Sequence, residues 1–196
     1  MDKADIILLP FGFPSANKDI GKALKWAHKK SKVMFASAVG YGFNQRRCYP
    51  ASNRHVIGIH AVDGRGKDCG ICAAPIKGDY NFSALGVCAE SWWGDGKTHV
   101  SGSSYATAVA AGAAASLLQF IRLNLELEDA EDMKWLYSTE GIREMLRMMS
   151  TEIDGYRCIA PSALFGPKST IEDVCKTIMA AVVKNRKPRE SRNLHY

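Results

Sequence analysis

DIILLPFGFPSANKDIGKALKWAHKKSKVMFASAV, residues 5–39, contains two compact apolar runs separated by a stretch of a different period. The first run, residues 5–9, is too short for a helix and stops at Pro10 and Gly12, as a strand entering a loop does. In the middle stretch Ile20, Ala23, Leu24 and Ala27 fall on one helical face, and Lys29, Lys30 and Lys32 crowd the C-terminal end, where cations favour the helix dipole. The second run, residues 33–39, and a third at residues 55–62 (HVIGIHAV) have strand length and lead into glycine-containing turns. Strand, helix, strand, loop, strand is the order that builds a parallel sheet with right-handed crossovers. The predicted class is therefore α/β.

Outward from this core the pattern changes. Residues 63–97 are rich in Gly, Asp and Pro, with short apolar patches at 82–87 and 91–93 that predict loops and a short strand pair. Residues 104–122 carry apolar and small side chains on every side of the helical wheel, which predicts a helix buried all round. Gly112 in its middle costs about 1 kcal/mol relative to Ala, so a neighbouring backbone is expected to come close there. An acidic connector at 126–132 precedes a helix at 139–149 with Ile142, Met145, Leu146 and Met149 in register. Residues 166–169 read as a linker, and Ser169-x-x-Glu172 as a capping box opening a last helix. The expected organisation is one domain over residues 1–165, followed at 166–196 by a linker, an amphipathic helix and a basic tail.

Composition narrows the function classes. The net charge is +6 over 196 residues, with the excess at residues 18–32 and 184–192 and one aromatic, Trp26, among those charges rather than a repeated basic–aromatic pattern that would stack on bases, so no nucleic-acid partner is expected. The first ten residues have acids where a signal peptide would be basic, and alanine is a poor membrane anchor, so a soluble protein without a membrane partner, cytoplasmic by default, is expected. Six cysteines without a signal peptide predict reduced thiols. The pair Cys69-x-x-Cys72 lacks the second pair a structural zinc site needs, so neither metal nor cofactor is expected.

The chemistry concentrates at VSGSSYATAVAAG, residues 100–112. A helix opening with Gly-Ser-Ser sets free backbone N–H groups and a positive dipole end beside a hydroxyl, which are the parts of an oxyanion site. The simplest alternative is that Ser103 or Ser104 caps the helix.

Ser101-Gly102-Ser103-Ser104-Tyr105-Ala106-Thr107, running into AVAAG, resembles the nucleophile motif of the subtilisin-like serine peptidases, with Ser103 where that family usually has Thr. DIILLPFGF resembles the family's strand and substrate-groove segment, VMFASAVGYGFNQRRCYPA the strand and loop that carry the oxyanion asparagine, and HVIGIHAVDGRGK the next strand. The four blocks stand in the family's order over roughly residues 5–125, and 148–165 resembles the domain's closing segment more weakly. The resemblance implies a partial doubly wound parallel sheet in a three-layer α/β/α arrangement that lacks the N-terminal strands. It implies a serine endopeptidase-like site with Ser104 at the nucleophile position, and a polypeptide-binding groove edge at Leu9, Pro10, Phe11 and Gly12.

The departures are equally specific. No Asp-Thr/Ser-Gly and no His-Gly-Thr/His occurs in the sequence, so the residues that would orient and deprotonate Ser104 are missing. None of His28, His55, His60, His99 or His195 lies in such a motif, and Asp63 reads as a turn residue. Aligning Gly42 and Tyr49-Pro50-Ala51 with the family's loop puts Gly40 in place of the oxyanion asparagine, with Asn44 as the nearby amide. Pro10 replaces the groove serine and removes a backbone donor. In a subtilisin, loss of the base lowers kcat by about 10⁶, and loss of one oxyanion donor costs a factor of about 10²–10³. Two expectations follow: the incomplete part of a serine endopeptidase, inactive as this chain, or a non-catalytic remnant that binds a protein partner. Either leaves residues 5–9 as an open apolar sheet edge, so self-association is expected.

Overall fold

The computed structural model describes residues 4–40, 46–68, 70–127 and 129–185. The three apolar runs form β1 (Ile6–Leu9), β2 (Val33–Ser37) and β3 (Val56–Val62), and the lysine-rich stretch forms α1 (Lys18–Lys29). Asn17 caps α1, its side-chain oxygen accepting from the N–H groups of Asp19 and Ile20. β1 pairs with β2 and β2 with β3, all parallel.

The patch at 82–87 does not form a local pair with 91–93. Instead β4 (Phe82–Leu85) joins the central sheet parallel to β3, while β5 (Ala89–Trp93) pairs with β6 (Gly96–Val100) as a separate antiparallel hairpin. Phe82 and Ala84 are buried; their burial between β3 and the far side of the sheet outweighs the nearer pairing.

The chain continues through α2 (Ser103–Asn124), α3 (Ala130–Leu136) and α4 (Thr139–Met148). It closes with the antiparallel pair β7 (Ser150–Ile153) and β8 (Tyr156–Ile159), then α5 (Ile171–Asn185). β8 docks parallel to β4, so the sheet order is β1-β2-β3-β4-β8-β7. α3 starts inside the acidic connector, where Asp129 accepts from Glu131 N–H. The capping box of α5 lies one residue beyond the expected Ser169/Glu172 pair. Thr170 and Asp173 satisfy each other's backbone N–H groups at 3.1 Å.

Alternation along β2 builds the layers. Val33 and Phe35 face a core shared with α2, α4 and α5, while Met34, Ala36 and Ala38 face a second core with Leu24 and Ala27 of α1. Val174, Ile178, Ala181 and Val182 of α5 belong to the first core. The result is the mixed α/β architecture with a mostly parallel sheet between helices.

α2 corrects an expectation. Ala106, Thr107, Ala110, Ala111, Ala114, Leu117, Leu118 and Ile121 are buried at helical spacing, but Tyr105, Val109 and Leu123 on the other side are 40, 44 and 71% exposed. The helix is therefore covered on one face only. Gly112 sits on the uncovered face, and a Cβ there would meet nothing within 4 Å among the described residues, so none of their backbone explains it. By length and composition α2 could cross a membrane; here its apolar face lies on the sheet.

β1 forms an edge of the sheet, paired on one side by β2, and Leu8 on it is 40% exposed. Among the described residues nothing pairs with its outer side.

Candidate active site

Ser104 stands in the first turn of α2, beside the C-terminal end of β1. Its Oγ donates to the Pro10 carbonyl at 2.8 Å. Neither serine caps the helix, because the cap position is Gly102, which makes no side-chain bond. Ser103 is buried and its Oγ lies 2.6 Å from the Oγ of Ser37 on β2. That pair ties the start of α2 to the sheet. Ser37 was not singled out in the sequence; its signal is being the one hydroxyl in an otherwise apolar strand, on the face that α2 covers.

The segment expected to form the groove edge has satisfied part of its own backbone. The N–H of Phe11 donates to the Leu9 carbonyl at 2.8 Å, Pro10 has no N–H, and the Pro10 carbonyl is taken by Ser104. Phe13 and Tyr49 exchange backbone hydrogen bonds of 2.6 and 2.9 Å, and Gly12 lies against Cys48, so that a Cβ would come within 3.0 Å of the Cys48 Cβ. Part of the Leu9–Gly12 backbone is thus already engaged within the chain.

Gly40 follows β2, and a Cβ there would lie 2.8 Å from Ala73 N and 2.9 Å from Ala73 Cα. The backbone of Cys72 and Ala73 runs antiparallel to Ala38 and Val39 at this point, with Val39 and Cys72 in a β-bridge and Ala73 N donating to Ala38 O at 3.4 Å. Tyr156 on β8 holds the Ala73 carbonyl through its hydroxyl at 3.1 Å. The space an asparagine side chain would need at position 40 is filled by main chain. Asn44 and Cys69 lie outside the described residues, as do His195 and the basic tail.

The imidazoles are elsewhere. His28 and His55 stack on each other with ring centroids 3.9 Å apart, and His99 is exposed on β6. His60 is buried in the middle of β3, where Nε2 is 3.2 Å from an Arg47 nitrogen. Burial, with the Arg47 charge second, pushes its pKa down to about 3. Among the described residues none of these rings hydrogen-bonds Ser104. Asp63 is a turn residue: its Oδ1 accepts from the N–H groups of Arg65 and Lys67 at 2.8 and 2.9 Å, and these bonds hold its carboxyl below the usual range. No cluster of three or more His, Cys, Asp or Glu side chains is placed to hold a metal among the described residues.

The fold and the segment order define a subtilisin-like scaffold, and comparison with known proteins agrees. The chain is 34% identical over 105 residues to the subtilisin-like protease het-Q2 of Podospora anserina, a match covering 50% of this chain and 29% of that protein. In structure it resembles the prenylagaramide maturation protease PagA, with a TM-score of 0.64 at 21% identity over 90% of this chain and 63% of that one. A mutant of the protease domain of PatA gives 0.62 at 20% identity, over 91% and 61%. No family model matches. The chain is thus related to the subtilisin-like proteases over part of its length and shares their fold, while spanning under a third of the curated relative.

Proposed function

We propose that Ser104 occupies a nucleophile position without a nucleophile's machinery, and that this chain alone hydrolyses no peptide bond. The observation that carries the reading is the Ser104 hydrogen bond: its proton is directed to the Pro10 carbonyl, which cannot accept it in a reaction. A serine attacks an amide only when a base takes its proton, and among the described residues no imidazole or carboxylate hydrogen-bonds Ser104. The experiment is incubation with a broad peptide substrate and a fluorophosphonate probe. Turnover together with labelling of Ser104 would overturn the reading.

A second reading, a protein-binding module on a protease scaffold, is favoured by the packing at Gly40. An enzyme merely lacking its Asp and His in this piece of chain would keep room for the oxyanion donor, whereas here the Ala73 backbone fills it. The polypeptide partner would lie along Leu9, Pro10, Phe11 and Gly12, where Phe11 and the adjacent Phe13 are 40 and 43% exposed. A peptide array that yields no binder sensitive to Phe11→Ala would count against it. The open edge of β1 also supports self-association, checked by sedimentation at increasing concentration.

A further inference from the structure

We propose that the cleft at the N-terminal ends of β3 and β4, beside α4, binds a small oxyanion, phosphate or carboxylate, between the guanidinium groups of Arg54 and Arg143. The site is independent of the protease-like reading, since it lies at the opposite end of the parallel strands from Ser104.

The cleft encloses about 290 Å³, enough for an anion of phosphate to citrate size, and three arginines line it: Arg47, Arg54 and Arg143. The sole acid in its wall, Asp79, is already bound to Arg47 at 2.8 Å. The Arg47 side chain is 7% exposed and is further held by Asn81 Oδ1 at 3.1 Å, so Asp79 is committed to a buried cation. Among the described residues the Arg47 Nε has no hydrogen-bond partner. Among the described residues Arg54 and Arg143 bridge no carboxylate.

Arg143 is nevertheless fixed in place. One of its terminal nitrogens donates to the carbonyls of Arg54 and Val56 at 2.9 and 3.0 Å. These neutral acceptors orient the planar fork without neutralising it, leaving its remaining N–H groups for an acceptor in the cleft. Arg54 Nε points to His55 Nε2 at 3.3 Å, again a neutral partner. Burial is the largest cause that lowers the His55 pKa, followed by the charges of His28, Arg54 and Arg143, which Glu140 opposes. Ser52 and Asn53 add neutral polar groups at the rim. Two uncompensated guanidinium groups on one concave wall are the arrangement that recognises a planar or tetrahedral oxyanion through charge-assisted, paired hydrogen bonds.

The test is calorimetric titration of the full chain, at low and constant ionic strength, with inorganic phosphate and separately with citrate. Saturable binding of either is expected, and the preferred anion separates the phosphate from the carboxylate source. Arg54→Gln, which removes a charge whose side-chain hydrogen bond is to the half-buried, neutral His55, is expected to weaken binding about tenfold. Arg143→Lys keeps the charge but loses the fork and is expected to weaken it as well. Lys168→Gln, an exposed change outside the cleft, is expected to bind unchanged. Absence of saturable binding by both anions would overturn the proposal. So would unchanged affinity in Arg54→Gln, or an equal loss in Lys168→Gln.

Discussion

The hydroxyl of Ser104 donates to the carbonyl of Pro10, 94 residues away in the chain, at 2.8 Å. A serine in that arrangement ties a helix start to a strand end. Ser104→Ala is expected to cost about 1 kcal/mol in urea unfolding, the usual net value of one hydrogen bond, and to leave peptide hydrolysis at background. A loss of measurable hydrolysis on this substitution would show that the serine had been reactive.

The packing of Gly40 on Ala73 predicts intolerance of any side chain there. Gly40→Ala places a methyl 2.8 Å from Ala73 N and is expected to destabilise by about 1–3 kcal/mol, because main chain held by the Tyr156 hydroxyl must shift. Gly40→Asn should be at least as harmful and should restore no activity. Equal midpoints for wild type and Gly40→Ala in urea would contradict the packing.

Gly112 predicts the opposite sign. It lies mid-helix on the uncovered face of α2 with open space beside it, so Gly112→Ala is expected to stabilise the chain by about 0.5–1 kcal/mol through reduced unfolded-state freedom. A thermal midpoint that falls would mean that a partner packs against this face in solution.

His60 sets a pH dependence. Its pKa is lowered from 6.5 to about 3 in the folded chain, so the unfolded state binds the extra proton between those values. Stability is fully present above pH 6.5 and is lost as pH falls toward 3, by about 2 kcal/mol between pH 7 and 5. His60→Gln keeps an acceptor for Arg47 and removes the titration. Urea curves at the two pH values should show a smaller difference in this variant.

The edge of β1 predicts the remaining outcome. Leu8→Lys places a charge on the exposed side of the unpaired strand, and is expected to shift sedimentation toward the monomer if pairing through this edge drives association. Association unchanged by the substitution would assign it to another surface.

Much of the scaffold was legible because it depends on period and punctuation alone. The runs at 5–9, 33–39 and 55–62 have strand length and the face of Ile20, Leu24 and Ala27 helical spacing, so β1 to β3 lie within two residues of their expected bounds, while the helix expected over 20–32 runs from Lys18 to Lys29. The burial of α2 was not legible. A wheel of alanines is equally compatible with solvent and with packing, since each buries too little area to force a neighbour, and only the placement of the other elements decides which face is covered. β4 was misread for a similar reason: four residues carry no information about which of two sheets will take them.

What the sequence determined by itself is that residues 1–196 contain the serine segment at 101–107 but neither an Asp-Thr/Ser-Gly nor a His-Gly-Thr/His motif. What only the tertiary structure decided is where the remaining groups point. The Pro10 carbonyl, the Ala73 backbone and Ser37 reach the site from segments far apart in the chain. Hydrogen-bond direction and steric exclusion at a few ångströms depend on the packing of whole elements, which a local pattern does not encode.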